Sequence, residues 1–167
     1  TIEFGYASLD EIKELYSNPQ MDLKVYQWEF LKEKLTSGTW KCTVVKYGGK
    51  LIAYGFYSIK EMALVGTKKV SFDLPTQSVY FFRLFVHPDF RKLYVSKSLY
   101  NFRINEVRCI GNSLIFCAVN STNQIQIHNL EKIGWKLVGS IIFLKTKISN
   151  TVFISRKISK FGLKLKH

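Results

Sequence analysis

Residues 2–7 alternate weakly between apolar and polar side chains and read as a strand. Ser8-Leu9-Asp10-Glu11 then has the form of a helix start, with Ser8 as N-cap and Glu11 placed to close a capping box; Pro19 ends that helical region. A second helix is predicted over about residues 25–35, where Val25, Trp28, Leu31 and Leu35 share one face and Gly38 stops the run. Residues 40–47 and 50–59 are β-rich and joined by Gly48-Gly49, a two-residue turn that needs positive φ. Residues 60–73 extend the second strand into a further polar hairpin around Gly66-Thr67. Residues 78–86, SVYFFRLFV, are almost wholly apolar, as a central strand buried on both faces requires, and His87-Pro88-Asp89 ends that strand.

Helical spacing returns over 92–107, with Val95, Leu99 and Phe102 on one face. Residues 113–119 form another buried strand. Residues 123–133 are helical, with Ile127, Leu130 and Ile133 three apart and Gly134 as C-cap, and 137–144 and 151–158 close the chain as strands. The order β-α-α-β-β-β-α-β-α-β-β predicts an α/β fold, a mixed sheet with helices on both faces. Three prolines and no Pro/Gly/Ser linker lead to the expectation of one domain over 1–167, with a basic tail over about 159–167.

Composition supports a packed domain: of 167 residues, 47% are apolar and 15% aromatic. Charge narrows the partners. The net charge of +13 disfavours a cationic partner and suits phosphate-rich ones. It is also one-sided: residues 132–167 hold nine Lys or Arg and no acid, among them Lys136, Lys145, Lys147, Arg156, Lys157, Lys160, Lys164 and Lys166. Cys42, Cys109 and Cys117 show no CxxC or Cys/His spacing, so reduced buried thiols, no metal site and a cytoplasmic setting are expected. No apolar run reaches the length of a membrane span, and no leader pattern is visible at the start.

The chemistry concentrates where the apolar strand breaks. Leu84-Phe85-Val86-His87-Pro88-Asp89-Phe90-Arg91-Lys92-Leu93-Tyr94-Val95-Ser96 reads as strand, sharp turn and helix start. Unpaired amides at a helix N-terminus carry the positive end of the dipole and bind phosphate, and Arg91 and Lys92 add formal charge there. This segment resembles the acetyl-CoA signature of the GNAT superfamily of N-acetyltransferases, an apolar strand ending V-x-P followed by Q/R-x-x-G-x-G/A opening a helix. Val86, Pro88 and Arg91 fall in register, Tyr94 takes the first glycine position and Ser96 the second small one. The stretch from Val119 to Trp135 is similar to the superfamily's N-x-x-A-x-x-L-Y-E-K-L-G-F, matching at Asn123, Glu131, Lys132, Gly134 and Trp135. Leu130 stands where that pattern commonly has the tyrosine that protonates the departing thiolate.

The resemblance implies a GNAT-like sheet whose fourth and fifth strands are parallel and splayed, with acetyl-CoA or another acyl-CoA as co-substrate and no metal. It implies cofactor contacts from Leu84, Phe85, Val86, Arg91, Lys92, Tyr94, Val95, Ser96 and Asn123. An amine would attack the thioester directly; His87 and Tyr94 are the candidates for moving protons. The acceptor is then an amine, possible anionic ones included; the alternative is a nucleic-acid-binding or nucleic-acid-modifying protein of this fold, Mom-like or tRNA-directed, using the basic C-terminal third. The oligomeric state is left open, a dimer being compatible.

Overall fold

The computed structural model describes residues 1–64, 71–91, 93–145 and 150–166. The chain forms two compact units, one of residues 1–61 and 76–117, the other of 62–75 and 118–167. The hairpin expected around Gly66-Thr67 lies outside the described residues.

The first unit is built on a five-stranded sheet. Strand β1 (Ile2–Tyr6) leads through Ser8 into α1 (Leu9–Ser17), and the expected capping box is present: the Glu11 amide donates to Ser8 Oγ at 3.2 Å and the Ser8 amide to Glu11 Oε2 at 2.7 Å. A 3-10 turn, Pro19–Met21, and α2 (Trp28–Thr36) follow. Helix α2 starts three residues later than its apolar spacing predicts, and Val25 is left exposed ahead of it. Strands β2 (Trp40–Tyr47) and β3 (Lys50–Ser58) are joined by Gly48 and Gly49 at φ 55° and 80°, the positive values that a short hairpin turn demands.

The small strands β4 (Glu61–Ala63) and β5 (Ser71–Asp73) precede β6 (Ser78–Val86), which returns to the sheet. Helix α3 (Val95–Cys109) and β7 (Leu114–Cys117) complete the first unit. Sheet order is β1-β2-β3-β6-β7, antiparallel throughout except for the parallel β6–β7 pair.

Strand alternation divides the core between the two sheet faces. On one, Val95 and Leu99 of α3 pack with Val45, Ile52 and Ala53. On the other, Trp40 meets Tyr26, Phe30 and Phe82 edge-on, and the Tyr54 hydroxyl donates to the Met21 carbonyl at 2.9 Å. Helices therefore cover both faces, as expected.

Arg103 is the surprise in this core. It is completely buried, donates from Nη2 to the Phe56 carbonyl and lies over the Phe81 ring at 4.0 Å, while Nε and Nη1 have no partner. Loss of water pushes its guanidinium down to about 10. Gly55 makes room for it, since a Cβ there would sit 2.9 Å from Arg103 Nη1.

In the second unit, β5 is the middle strand of a sheet ordered β10-β5-β4, α4 spans Gln124–Lys132, and β8 (Ile141–Lys145) pairs antiparallel with β9 (Asn150–Ile154). Three expectations are corrected here. The last predicted strand stops at Ile154, and residues 156–159 turn into the short helix α5 (Arg156–Ser159), which buries Ile158. Part of the basic tail expected over about 159–167 instead forms β10 (Lys164–Lys166), paired antiparallel with β5 and preceded by buried Leu163. Of the thiols, Cys42 is buried but Cys109 is exposed, because it lies on the outer side of the last turn of α3.

No described helix is long and apolar enough to cross a membrane. The packing around Gly55 yields the first prediction. Gly55→Ala should lower the unfolding free energy by about 1–3 kcal/mol in urea denaturation, because the new methyl meets a guanidinium with nowhere to go. Unchanged stability would show that Arg103 is free to move aside.

Candidate functional site

Strand β6 is longer than its parallel neighbour, and that mismatch creates the site. Pairing with β7 runs from Ser78↔Leu114 to Phe81↔Cys117 and stops there, whereas β6 continues to Val86 with β3 as its only strand partner among the described residues. This is why the second half of β6 is only half-buried where full burial was expected. The His87 amide donates to the Ile52 carbonyl of β3 at 2.8 Å. Alternation along the strand then turns the peptide groups of Val86, and of Leu84 before it, toward the open side.

At the point of parting, β6 carries a bulge. Tyr54 pairs with Phe85 but Phe56 with Phe82, so Arg83 and Leu84 together oppose Gly55. Arg83 has φ 49°, a left-handed value that costs a non-glycine residue roughly 1–2 kcal/mol. Its Nη2 donates to both the carboxylate of Asp22, at 2.6 Å, and the carbonyl of the same residue. Asp22 is itself left-handed at φ 49° and ends the Pro19–Met21 turn.

Beyond β6 the chain turns through a 3-10 segment, Pro88–Phe90, and enters α3. His87 holds this turn: its Nδ1 accepts from the Asp89 amide at 3.3 Å and its Nε2 contacts Gln20 Oε1 at 2.8 Å, so both ring nitrogens have protein partners. Arg91 donates from Nε to the Val86 carbonyl at 3.2 Å, with its guanidinium carbon 5.5 Å from the centre of the Phe85 ring. The cation is thereby fixed beside the open strand end. Lys92 lies outside the described residues.

Tyr94 is the N-cap of α3 at φ 57°, supplies no capping hydrogen bond, and is 77% exposed. The backbone here has the conformation that glycine adopts most easily, which accounts for the glycine in the motif that the segment resembles. The first helical bond runs from the Ser98 amide to the Tyr94 carbonyl, so the amides of Val95, Ser96 and Lys97 precede the helical ladder with no side-chain cap. Val95 buries its side chain in the core and can offer a ligand only its backbone; Ser96 is exposed. The arrangement is a helix N-terminus without a side-chain cap, with Arg91 at its margin.

Asn123 lies in the second unit, where it caps α4 by accepting from the Gln126 amide at 3.1 Å. Leu130 is buried on that helix. Arg83, Asp22 and Tyr26 were not singled out by sequence: an arginine inside an apolar strand carries no mark that its backbone is left-handed. Among the described residues no group of three or more His, Cys, Asp or Glu side chains is placed to hold a metal ion.

Comparison with known proteins places this geometry. A family model described as the GNAT acetyltransferase family matches residues 6–135. No curated protein matches the chain. Among solved structures, the aminoglycoside N-acetyltransferase AAC(6')-Iy in complex with CoA is similar in fold, at 14% identity and a TM-score of 0.67 over 88% of this chain and 95% of that one. The aminoglycoside antibiotic 6'-N-acetyltransferase AAC(6')-Ih from Acinetobacter baumannii shares 12% identity at a TM-score of 0.66, covering 89% and 100%. A ribosomal-protein-alanine N-acetyltransferase from Brucella melitensis gives 12% and 0.63, covering 87% and 99%. With the family match spanning both the forked sheet and the strand–turn–helix that follows it, the chain belongs to the GNAT acetyltransferases, a family of acyl-CoA-dependent N-acyltransferases.

Proposed function

We propose that this protein binds acyl-CoA along the open edge of β6, with the pyrophosphate on the amides of Val95, Ser96 and Lys97, and transfers the acyl group to an amine that attacks the thioester directly. The observation that carries this reading is the fork. A parallel partner that stops at Cys117 leaves β6 unpaired on one side up to Val86, and the chain then runs into an uncapped helix N-terminus. The Leu84 and Val86 peptide groups suit the amides of a pantetheine arm, as an added strand would. Arg91 and the dipole of α3 suit the diphosphate. Holding both reactants in one complex supplies most of the rate enhancement, and no enzyme nucleophile is needed.

The acceptor is an amine, and the net charge of +13 favours one that carries negative charge. The solved relatives point to two classes for a first screen with acetyl-CoA: an aminoglycoside and a peptide with N-terminal alanine. An aminoacyl-tRNA completes the panel and tests the nucleic-acid-directed alternative. The best turnover on the aminoglycoside, a polycation, would leave the positive charge without a role in acceptor choice.

Two substitutions test the cofactor half by calorimetry with CoA. Arg91→Ala removes a charge-assisted contact worth roughly 1.5–3 kcal/mol and should weaken binding about tenfold or more; unchanged affinity would move the diphosphate elsewhere. Tyr94→Gly relieves the left-handed strain and should raise stability by about 0.5–1 kcal/mol. By baring the helix amides it should also tighten CoA binding. A drop in affinity would show instead that the ring packs on the bound cofactor.

A further inference from the structure

We propose that the Tyr26 hydroxyl and Arg83 Nε form the leaving-group site, with Tyr26 giving its proton to the CoA sulfur as the acyl group departs. The inference rests on the acyl-CoA reading above and deepens it. The motif position that would carry this proton holds Leu130, a buried hydrocarbon with none to give.

The first unit has a phenol at the fork itself. Tyr26 lies between the Pro19–Met21 turn and α2, with its ring edge-on to Trp40 at 5.4 Å and to Phe56 at 6.4 Å. Phe56 is the cross-strand partner of Phe82, the first residue of β6 past the last β7 pair. Tyr80, two residues earlier on β6, interacts electrostatically with both Tyr26 and Cys117, and Arg83 interacts with Tyr26 in turn. Tyr26 thus packs on the sheet face that carries Phe56 and Phe82, within electrostatic reach of the bulge residue Arg83.

Two polar atoms there lack partners. Tyr26 Oη and Arg83 Nε are both buried and neither atom has a hydrogen-bond partner among the described residues, although the Arg83 guanidinium is held at Asp22 and Tyr54. Leaving such a group unpaired costs roughly 1–3 kcal/mol, which an acceptor atom arriving with a ligand would recover. One donor is neutral and the other cationic, which suits an atom that gains negative charge during reaction. Burial pushes the Tyr26 phenol up to about 12 and keeps its proton in place, while Arg83 works in the opposite direction and steadies the phenolate left after donation.

The step balances without an oxidant or reductant. The amine nitrogen forms the new C–N bond, the thioester C–S bond breaks with its electron pair going to sulfur, and sulfur takes the Tyr26 proton. The proton shed by the amine restores the phenol through solvent.

The test compares CoA with desulfo-CoA by calorimetry at pH 9, where part of the thiol is ionised. The native protein should bind CoA about 3–10-fold more tightly than desulfo-CoA. Tyr26→Phe, which keeps the ring packing, should erase that preference and leave desulfo-CoA affinity unchanged. With an amine acceptor, the same variant should lower kcat by about 10²-fold while KM for acetyl-CoA holds. Equal binding of the two ligands by the native protein, or a preference that survives Tyr26→Phe, overturns the proposal and leaves the acyl-CoA reading standing. Absence of CoA binding to the native protein overturns both. The native comparison decides the matter even where the variant fails to fold.

Discussion

The ion pair between Arg83 and Asp22 is the contact on which the open groove depends. Both residues hold left-handed backbone, which side chains other than glycine adopt at a cost. Each is constrained by the other, since one Arg83 nitrogen binds both the carboxylate and the carbonyl of Asp22. The pair fixes the bulge in β6, and the bulge turns the strand at the point where β7 leaves it. It also ties the segment before α2 to the same point, so the groove and the elements above it share one anchor.

The opposite sheet face sets the other end of the site. Val95 and Leu99 dock α3 onto Val45, Ile52 and Ala53, which fixes where the helix N-terminus meets the end of β6. Arg103, deeper along the same helix, joins α3 to the Phe56 carbonyl and to the ring of Phe81, the last β6 residue paired with β7. A buried cation with two unpaired N–H groups is an expensive way to pack a core. What it secures is register: helix, bulged strand and fork are held to one another within a single hydrophobic layer. Precise placement of that kind is what direct transfer between two bound reactants requires.

Much of this was legible in the chain because it is local. The Ser8–Glu11 capping box, the Gly48-Gly49 turn, the long apolar strand and the break at His87-Pro88 each depend on near neighbours, and each appears where expected. The strand–turn–helix pattern is also present, with Tyr94 in the glycine conformation at the start of the helix. What escaped depends on distant partners. Lys164–Lys166 reads as a solvated tail until Ser71–Asp73 supplies a strand for it to pair with. Arg103 carries no mark of burial in the sequence, because the space for it is left by Gly55, forty-eight positions earlier. Arg83 looks like an interruption in an apolar strand because its partner lies sixty-one positions earlier, and Tyr26 stands out only when its hydroxyl is found without a partner.

The central claim is that the unpaired edge of β6 and the first turn of α3 form one continuous acyl-CoA site. Residue-resolved amide hydrogen exchange by NMR, with and without CoA, measures it directly. The account predicts that CoA slows exchange at Leu84 and Val86 and at Val95, Ser96 and Lys97 together, while the His87 amide, already bonded to Ile52, changes little. CoA binding that protects other amides and leaves those of β6 and α3 unchanged would contradict it.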